Sequence, residues 1–477
     1  MENKIVKRIK NEFQNTPDLV TKNIRLSLLD TVTVLYLETV SSSDKVNDYI
    51  LKNLSSFSSF KNTKAVDIAS ILPSPNTKEI KNIDEVEYFI TNGFTIIVHK
   101  NTILAVETRA DINRGIPTPA TEAAPNGPKD AFTENYQINL GLIKKRLKSS
   151  KLKTDEFTIG RKTLTKVGLL YFQDITDEDT IRLVTEKLNK IDIDGVLDSS
   201  SIGQLITEED KTHFPTYQVT ERPDFVARAL LEGKIVLVVD TTPFAIILPA
   251  FFIDFINPGM DNYHKSKNIN FLKIVRFACF FLSMTVPAIY IALVNYNQET
   301  IPTNLLVSFS IQRDGVPFPS IVEVLIMLFV CEMLRESDLR FPNTYGSAIS
   351  ILGALVLGDA AVSAGIVSPI TIIIIALTFM ASLIFTEIEV SNALRNLRFI
   401  FLFAAAFYGI LGLVFATFYF LIRINKMHSF GKPYFYPLVP FDKTYFFKTA
   451  LKAPLRKDKH RSSILSQKNQ TKQGGNI

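Results

Sequence analysis

The residues of this chain best placed to do chemistry are acids set inside apolar runs. Glu323 and Glu332 interrupt the segment from Ile321 to Leu334, and Asp359 interrupts a run of Gly, Ala and Ser. Carboxylates in such stretches are costly, so they face a bundle interior or a water-filled path, where they can hold or pass polar species. Glu323 and Glu332 are nine residues apart, which puts them on opposite faces of one helix at about 100° per residue. Glu332, Arg335 and Glu336 share a face at i, i+3 and i+4. That trio reads as an interfacial salt-bridge cluster or, in an oligomer, as a ring of charge around a pore. Asp359 is expected to line a polar path or to pair with Arg335.

Catalysis finds no comparable footing. Gly160-Arg-Lys-Thr163 resembles the end of a phosphate loop but lacks the glycine that opens one. Ile235-Val-Leu-Val-Val-Asp240 fits a hairpin strand better than the end of a metal-binding strand. The five histidines, His99, His213, His264, His428 and His460, have no ligand spacing, and no Ser/His/Asp or Cys/His arrangement emerges. Cys279 and Cys331 both lie in apolar segments, which excludes a disulfide framework and a CxxC site. The expectation is a non-enzyme without metal or cofactor.

The acids need an apolar scaffold, and most of the apolar bulk lies between Phe271 and Ile422. Phe277–Val294, Ile321–Leu334, Ala348–Val367, Ile370–Phe385 and Phe399–Ile422 are candidate spans. Lys265, Lys267, Lys273 and Arg276 put the entry to the first on the cytoplasmic side. Twelve Lys/Arg against Asp442 and Asp458 between Arg423 and Ile477 ask the same of the tail, next to anionic lipid. An even number of crossings follows, met by four spans with 317–336 re-entrant or interfacial. That arrangement leaves Arg395 and Arg398 on the outer side. Gly353, Gly358 and Gly365, with Ala354, Ala360, Ala361 and Ala364, suit a helix at 346–365 packed closely by its neighbours. Those neighbours are either other helices of a monomeric bundle or copies of the helix itself, which fits better.

Upstream, strand patterns alternate with amphipathic helices, as in an α/β domain, and no secretory signal is expected behind Met1. The region repeats. Val34-Leu-Tyr-Leu and its helical run match Leu169-Leu-Tyr-Phe at an offset of 135, and Gly93-Phe-Thr-Ile-Ile-Val matches Gly233-Lys-Ile-Val-Leu-Val at 140. Two similar α/β subdomains are therefore expected, joined at 113–128, with a cleft between them as a place for a ligand. The predicted organisation is an α/β subdomain at 1–120, a second at 121–265, a polytopic α-helical membrane domain at 266–425 and a basic tail at 426–477, with both ends cytoplasmic.

Several motifs, in order, resemble the GerA family of spore germinant receptor A subunits. They are Gly127-Pro128, Thr220-Glu-Arg222-Pro223-Asp224, Val239-Asp240, Arg313 with Val316-Pro317-Phe-Pro319, Glu332 with Arg335-Glu336, and Gly346 through Val367-Ser-Pro369. Asn126 stands where an Arg is usual, and Thr241 where a Gly is. The resemblance implies a spore inner-membrane subunit working with a transporter-like B subunit and a lipoprotein C subunit. It further implies oligomers that release cations when a nutrient binds. On that reading Glu323, Glu332, Asp359, Gly353, Gly358, Ala361 and Gly365 would form the ion path or gate. A non-conducting scaffold and a related amplifying branch are the alternatives.

Overall fold

The computed structural model describes residues 4–27, 30–56, 68, 72–74, 76–111, 117–122, 124, 126–207, 214–257, 259–340, 358–385, 387–454, 456 and 458–472. Strands Leu19–Ser27 (β1), Asp30–Leu37 (β2), Thr77–Ile80 (β3), Phe94–His99 (β4) and Thr102–Glu107 (β5) form one sheet, ordered β1-β2-β4-β5-β3. A second sheet comprises Leu152–Ile159 (β6), Thr165–Phe172 (β7), Gln218–Thr220 (β8), Ile235–Val239 (β9) and Ala245–Leu248 (β10), ordered β6-β7-β9-β10-β8. The two orders are the same, and all pairings within both sheets are antiparallel. The repeated strings are thus the second and fourth strands of two equivalent sheets.

Alternation explains the burial. Leu35, Ile96 and Val98 enter one apolar cluster, and Val34, Ile97 and Val106 enter another. Adjacent strand residues point to opposite faces, so each central strand is covered on both sides. Equivalent positions also share backbone geometry. Gly93 and Gly233, just before β4 and β9, have φ of +81° and +94°, each after a helix, Val86–Thr91 (α1) or Pro223–Leu231 (α2).

The matching hairpin turns place Lys100 at φ +52° and Thr241 at +68°. A β-branched residue is strained there, because its Cβ substituents crowd the backbone. Thr241→Gly is accordingly expected to stabilise the chain by about 1 kcal/mol, read as a rise in the denaturation midpoint of the purified protein. A fall would mean that the Thr241 hydroxyl, which donates to the Leu197 carbonyl at 3.3 Å, outweighs the strain.

The seam between the subdomains is closed. Lys144 pairs with Asp18 while both are buried, and Lys153 Nζ donates to the Glu12 carbonyl at 2.9 Å. A cavity of about 10 Å³ lies beside that pair, and a wide, open surface groove runs from Lys10 to Phe157.

The part between 266 and 426 is mainly helical: Ser266–Asn295 (α3), Thr303–Arg313 (α4), Ser320–Arg340 (α5), Pro369–Ser382 (α6) and Ile388–Lys426 (α7). Among the described residues α3 and α7 are long and apolar enough to cross a membrane, and α6 is a shorter apolar helix. The segment expected to be re-entrant or interfacial, 317–336, contains a continuous helix, α5. It begins against the far end of α3, where Ser320 Oγ donates to Asn295 Oδ1 at 3.1 Å. The expected span 348–367 falls largely outside the described residues; 358–363 is helical and the chain then turns through Gly365 at φ +64°.

The expected single span at 399–422 is two arms. Gly409, at φ +58° and ψ −136°, breaks α7. Beyond it the chain folds back, so that a Cβ on Gly412 would collide with the Ala404 carbonyl. Leu397 and Phe401 of the first arm share a cluster with Ala416, Phe420 and Ile424 of the second. The turn abuts the far end of α3, where Tyr296 OH donates to the Ala406 carbonyl at 2.5 Å. Both arms therefore end beside the α/β unit, whose Phe214, Phe252 and Phe255 belong to the same cluster. This fold-back places Arg395 and Arg398 in an arm that starts at the α/β unit.

The tail is held against the rest of the fold. Several of its lysines are engaged within the fold, while Lys426, Lys443 and Lys459 are exposed. Lys448 pairs with Glu232 at 2.8 Å and Asp458 at 3.1 Å, Lys472 with Glu232 and with Asp458 at 3.0 Å, and Lys468 with Glu178. Lys452 Nζ donates to the carbonyls of Asp261, Asn262 and His264. The tail straps the helical part to the second subdomain.

Candidate functional site

Residues widely separated in sequence converge on Glu323. Its side chain is fully buried, and Oε2 accepts from Ser368 N at 2.9 Å, Ser368 Oγ at 2.7 Å and Thr371 Oγ1 at 3.1 Å. Ser368 is the N-cap of α6 and Pro369 follows at its first turn. A carboxylate there satisfies orphan amide donors and complements the helix dipole. Oε1 lies 3.5 Å from Arg313 Nε, and Tyr290 OH lies 3.3 Å from Thr371 Oγ1. Arg313 terminates α4, and the loop through Pro317 and Pro319 delivers Glu323 to α5, its amide bonding back to the Pro319 carbonyl at 3.2 Å. A Cβ on Gly365 would sit 3.2 Å from the Gly315 carbonyl. One carboxylate thus joins α5, α6 and the Arg313 loop, and α3 reaches it through Tyr290 and Thr371.

Glu332 faces elsewhere. It pairs with Arg395 at 3.2 Å and lies 3.9 Å from Arg335. Arg335 donates to Ser382 Oγ at 3.0 Å and Ser391 Oγ at 3.2 Å and lies over the Phe379 ring. It does not reach Asp359, which is exposed. Arg398, 1% exposed, donates from Nε to the Ser283 carbonyl at 2.7 Å. Sequence reasoning treated Arg395 and Arg398 only as markers of orientation. Two arginines three residues apart in an apolar run were the available signal. Gly353 lies outside the described residues. Gly358 and Ala361 sit against α6 or its cluster, and Glu336 follows Arg335 on α5.

The motif Arg222-Pro223-Asp224 has a structural task. Pro223 opens α2, and Arg222 donates to Asp224 at 3.0 and 3.1 Å and to the Glu122 and Pro128 carbonyls at 3.1 and 3.4 Å. Tyr263 OH also donates to Asp224. This clamp fixes the loop from Thr121 to Pro128, whose amides at 121 and 122 donate to Glu221 Oε1 at 2.6 and 2.8 Å.

The clamped loop meets the start of α7. Burial pushes the Glu122 carboxyl up to about 7; the Thr220 hydroxyl that donates to it at 2.6 Å and Arg222 oppose the rise, and Glu387 and Glu221 reinforce it. Burial also raises Glu387, the residue before α7, to about 7, with Glu389 adding to it. Carboxyls raised in the fold bind more protons than in the unfolded chain, so their contribution is complete below about pH 4.5 and is lost as pH rises through about 7. Thermal stability of the intact chain is therefore expected to fall between about pH 5 and about pH 8. Glu122→Gln with Glu387→Gln should flatten that slope, and an unchanged slope would place the titration elsewhere.

Comparison with known proteins gives the family. The profile of the Bacillus/Clostridium GerA spore germination protein family matches residues 7–464. The chain belongs to the GerA family. It is 36% identical over 477 residues to spore germination protein KA of Bacillus subtilis, covering 99% of this chain and 88% of that one. To spore germination protein XA of Bacillus anthracis it is 32% identical over 452 residues, covering 94% and 92%. The N-terminal domain of the A subunit of the Bacillus megaterium spore germinant receptor GerK3 aligns at 29% identity and a TM-score of 0.41, over 52% of this chain and 94% of that one. This GerA chain carries two α/β subdomains followed by a helical part with apolar helices; of the motifs that marked the resemblance, Arg313, Pro317-Phe-Pro319 and Ser368-Pro369 meet at Glu323, and Gly127-Pro128 and Thr220–Asp224 at Arg222.

Proposed function

We propose that this chain is the A subunit of a nutrient germinant receptor in the spore inner membrane, and that copies of it form a cation-release channel opened by nutrient. The observation that carries this is an imbalance within the helical part. Glu323, Glu332 and Arg398 are engaged inside one copy, whereas Asp359 and Ala360 are exposed. Helix α4 has no buried residue and exposes Leu305, Val307 and Ile311. These faces suit contact with further copies or with the transporter-like B and lipoprotein C subunits, and a ring of Asp359 would then line the path. A bundle in which α3, α5, α6 and both arms of α7 cross, together with the span expected from sequence at 348–367, gives an even number of passes. Both ends then lie on the cytoplasmic side.

Gly358 has room for a Cβ, its nearest neighbour Ile372 being 4.0 Å away. Gly358→Leu therefore reports on contacts between copies more than on folding of one. Potassium release from spores lacking this protein, across amino acids, sugars and nucleosides, tests the proposal. Loss for one nutrient class supports a receptor subunit, and uniform slowing supports the amplifying branch. One observation favours a second reading, a non-conducting scaffold: the bonds of Glu323 are those of a structural cap. Asp359→Asn separates the two, because a channel changes its cation release at normal protein abundance and a scaffold does not.

A further inference from the structure

After α7 the tail is set against the first turns of α3. Phe252 packs edge-on against Phe280 of α3 and against Phe435 of the tail, with ring centres 5.0 and 5.3 Å apart. Further on, Lys273 Nζ donates to the Thr449 carbonyl at 2.6 Å, and Asn270 Oδ1 accepts from Lys452 N at 2.7 Å. One end of this tail stretch is thus one ring away from Phe280, and the other is at Lys273. At about 1.5 Å per residue those two levels of α3 are about 10 Å apart. Between them, at Phe277, the basic entry of α3 gives way to its apolar run.

The same stretch shows an apolar face. Helix Lys443–Thr449 (α8) turns Tyr445 and Lys448 inward, the Tyr445 ring stacking on Tyr436 at 5.1 Å and Lys448 pairing with Glu232. At about 100° per residue Lys443 and Phe447 fall on the opposite face, and Phe447 is 49% exposed. Phe441 and Val439, just before α8, are 64% and 45% exposed, and the Phe441 and Phe446 rings lie 5.7 Å apart. On α3, Phe271 and Ile274 are exposed on either side of the level of Lys273. Grouped apolar side chains left bare in this way mark a contact surface.

We propose that Val439, Phe441 and Phe447 seat in the interfacial layer of the bilayer that α3 and α7 cross, making the tail an in-plane membrane anchor. Two observations name the bilayer as the occupant. The face points away from the contacts that α8 makes with the second subdomain, and it sits where α3 passes from Lys265, Lys267 and Lys273 into its apolar run. That is the height of the headgroups, where aromatic rings partition and where a short apolar face can lie flat. Lys443, exposed beside Phe447, can extend its stem along the rings and keep its charge in water. The anchor has a mechanical consequence. Lys448, on the inward side of the same helix, grips Glu232 at the end of α2, so the seated tail holds the α/β unit at a fixed height above the membrane.

The proposal rests on the reading of α3 and α7 as membrane elements, and one experiment separates the two. The chain contains no tryptophan, so a single introduced indole reports from one place. The full chain carrying Phe441→Trp or Phe447→Trp is reconstituted in phospholipid nanodiscs. Its fluorescence is quenched by aqueous iodide, or by lipids with a doxyl group high on the acyl chain or near its end. Phe418→Trp, exposed on the second arm of α7, reports on the membrane reading, and Leu197→Trp, exposed on the second subdomain, reports on water. Both tail variants should be quenched by the shallow lipid label and be at least about threefold less accessible to iodide than Leu197→Trp. Iodide quenching equal to that of Leu197→Trp, with Phe418→Trp quenched by lipid, would overturn the anchor and leave the membrane reading intact. Protection from iodide without lipid quenching would mean that a second copy covers the face, and overturns the anchor too. A Phe418→Trp variant that neither lipid label quenches would overturn both.

Discussion

Glu323→Ala should leave little intact protein in the membrane fraction, with a loss of about 3–5 kcal/mol, the range for breaking one partner out of a buried ion pair. The substitution strands the Ser368 amide and hydroxyl and the Thr371 hydroxyl, all of which donate to Oε2, and leaves Arg313 beside an apolar void. Whole domains hold together by about 5–15 kcal/mol, so this share is large. Glu323→Gln retains an acceptor for Ser368 and Thr371 and loses only the charge opposite Arg313, for which about 1–2 kcal/mol is expected. The measurement is thermal unfolding in detergent together with abundance in membranes. Arg313→Ala alone and combined with Glu323→Ala completes a cycle in which the losses should fall short of additive. Wild-type stability of the alanine variant would return Glu323 to the role of an ion ligand.

That node shows what sequence could and could not deliver. An acid in an apolar run signals a buried polar group, because lipid and protein interiors both penalise an unpaired carboxylate. Its partners carry no such signal. Ser368 and Thr371 are ordinary hydroxyl residues, and their pairing with Glu323 depends on how α5 meets α6, 45 residues further along. The paired sheets were readable for the opposite reason. Two copies of one pattern at offsets of 135 and 140 constrain each other, and a period of two survives drift in side-chain identity. The tail's anchoring was not readable, because counting Lys and Arg ignores their partners. Glu232 and Glu178, which engage Lys448, Lys472 and Lys468, lie more than 200 residues upstream.

Hydropathy is blind to direction, and the sharpest consequence concerns α7. A 39-residue apolar helix broken at one glycine scores like a straight one. The difference is topological. With the arms antiparallel, Asn392 and Asn425 lie at the end next to the α/β unit and Tyr408 at the other. Single cysteines at these three positions, with Cys279 and Cys331 replaced by Ser, should react with a membrane-impermeant maleimide accordingly. Positions 392 and 425 should label from the side that exposes the α/β unit, and 408 from the opposite side. A straight helix would label 392 and 425 from opposite sides. Gly409 and Gly412 set this geometry for separate reasons. At φ +58° and ψ −136° Gly409 occupies backbone space that a side chain makes costly by about 1–3 kcal/mol. An added Cβ would also press on Tyr296, against the end of α3. Gly412 admits the Ala404 carbonyl, a backbone atom that cannot swing aside, so Gly412→Leu forces the arms apart. Such overpacking typically costs about 1–3 kcal/mol or more. Either substitution should lower abundance and let positions 392 and 425 label from both sides, because the pairing of Leu397 with Phe420 and Ile424 also joins α7 to Phe214 of the α/β unit.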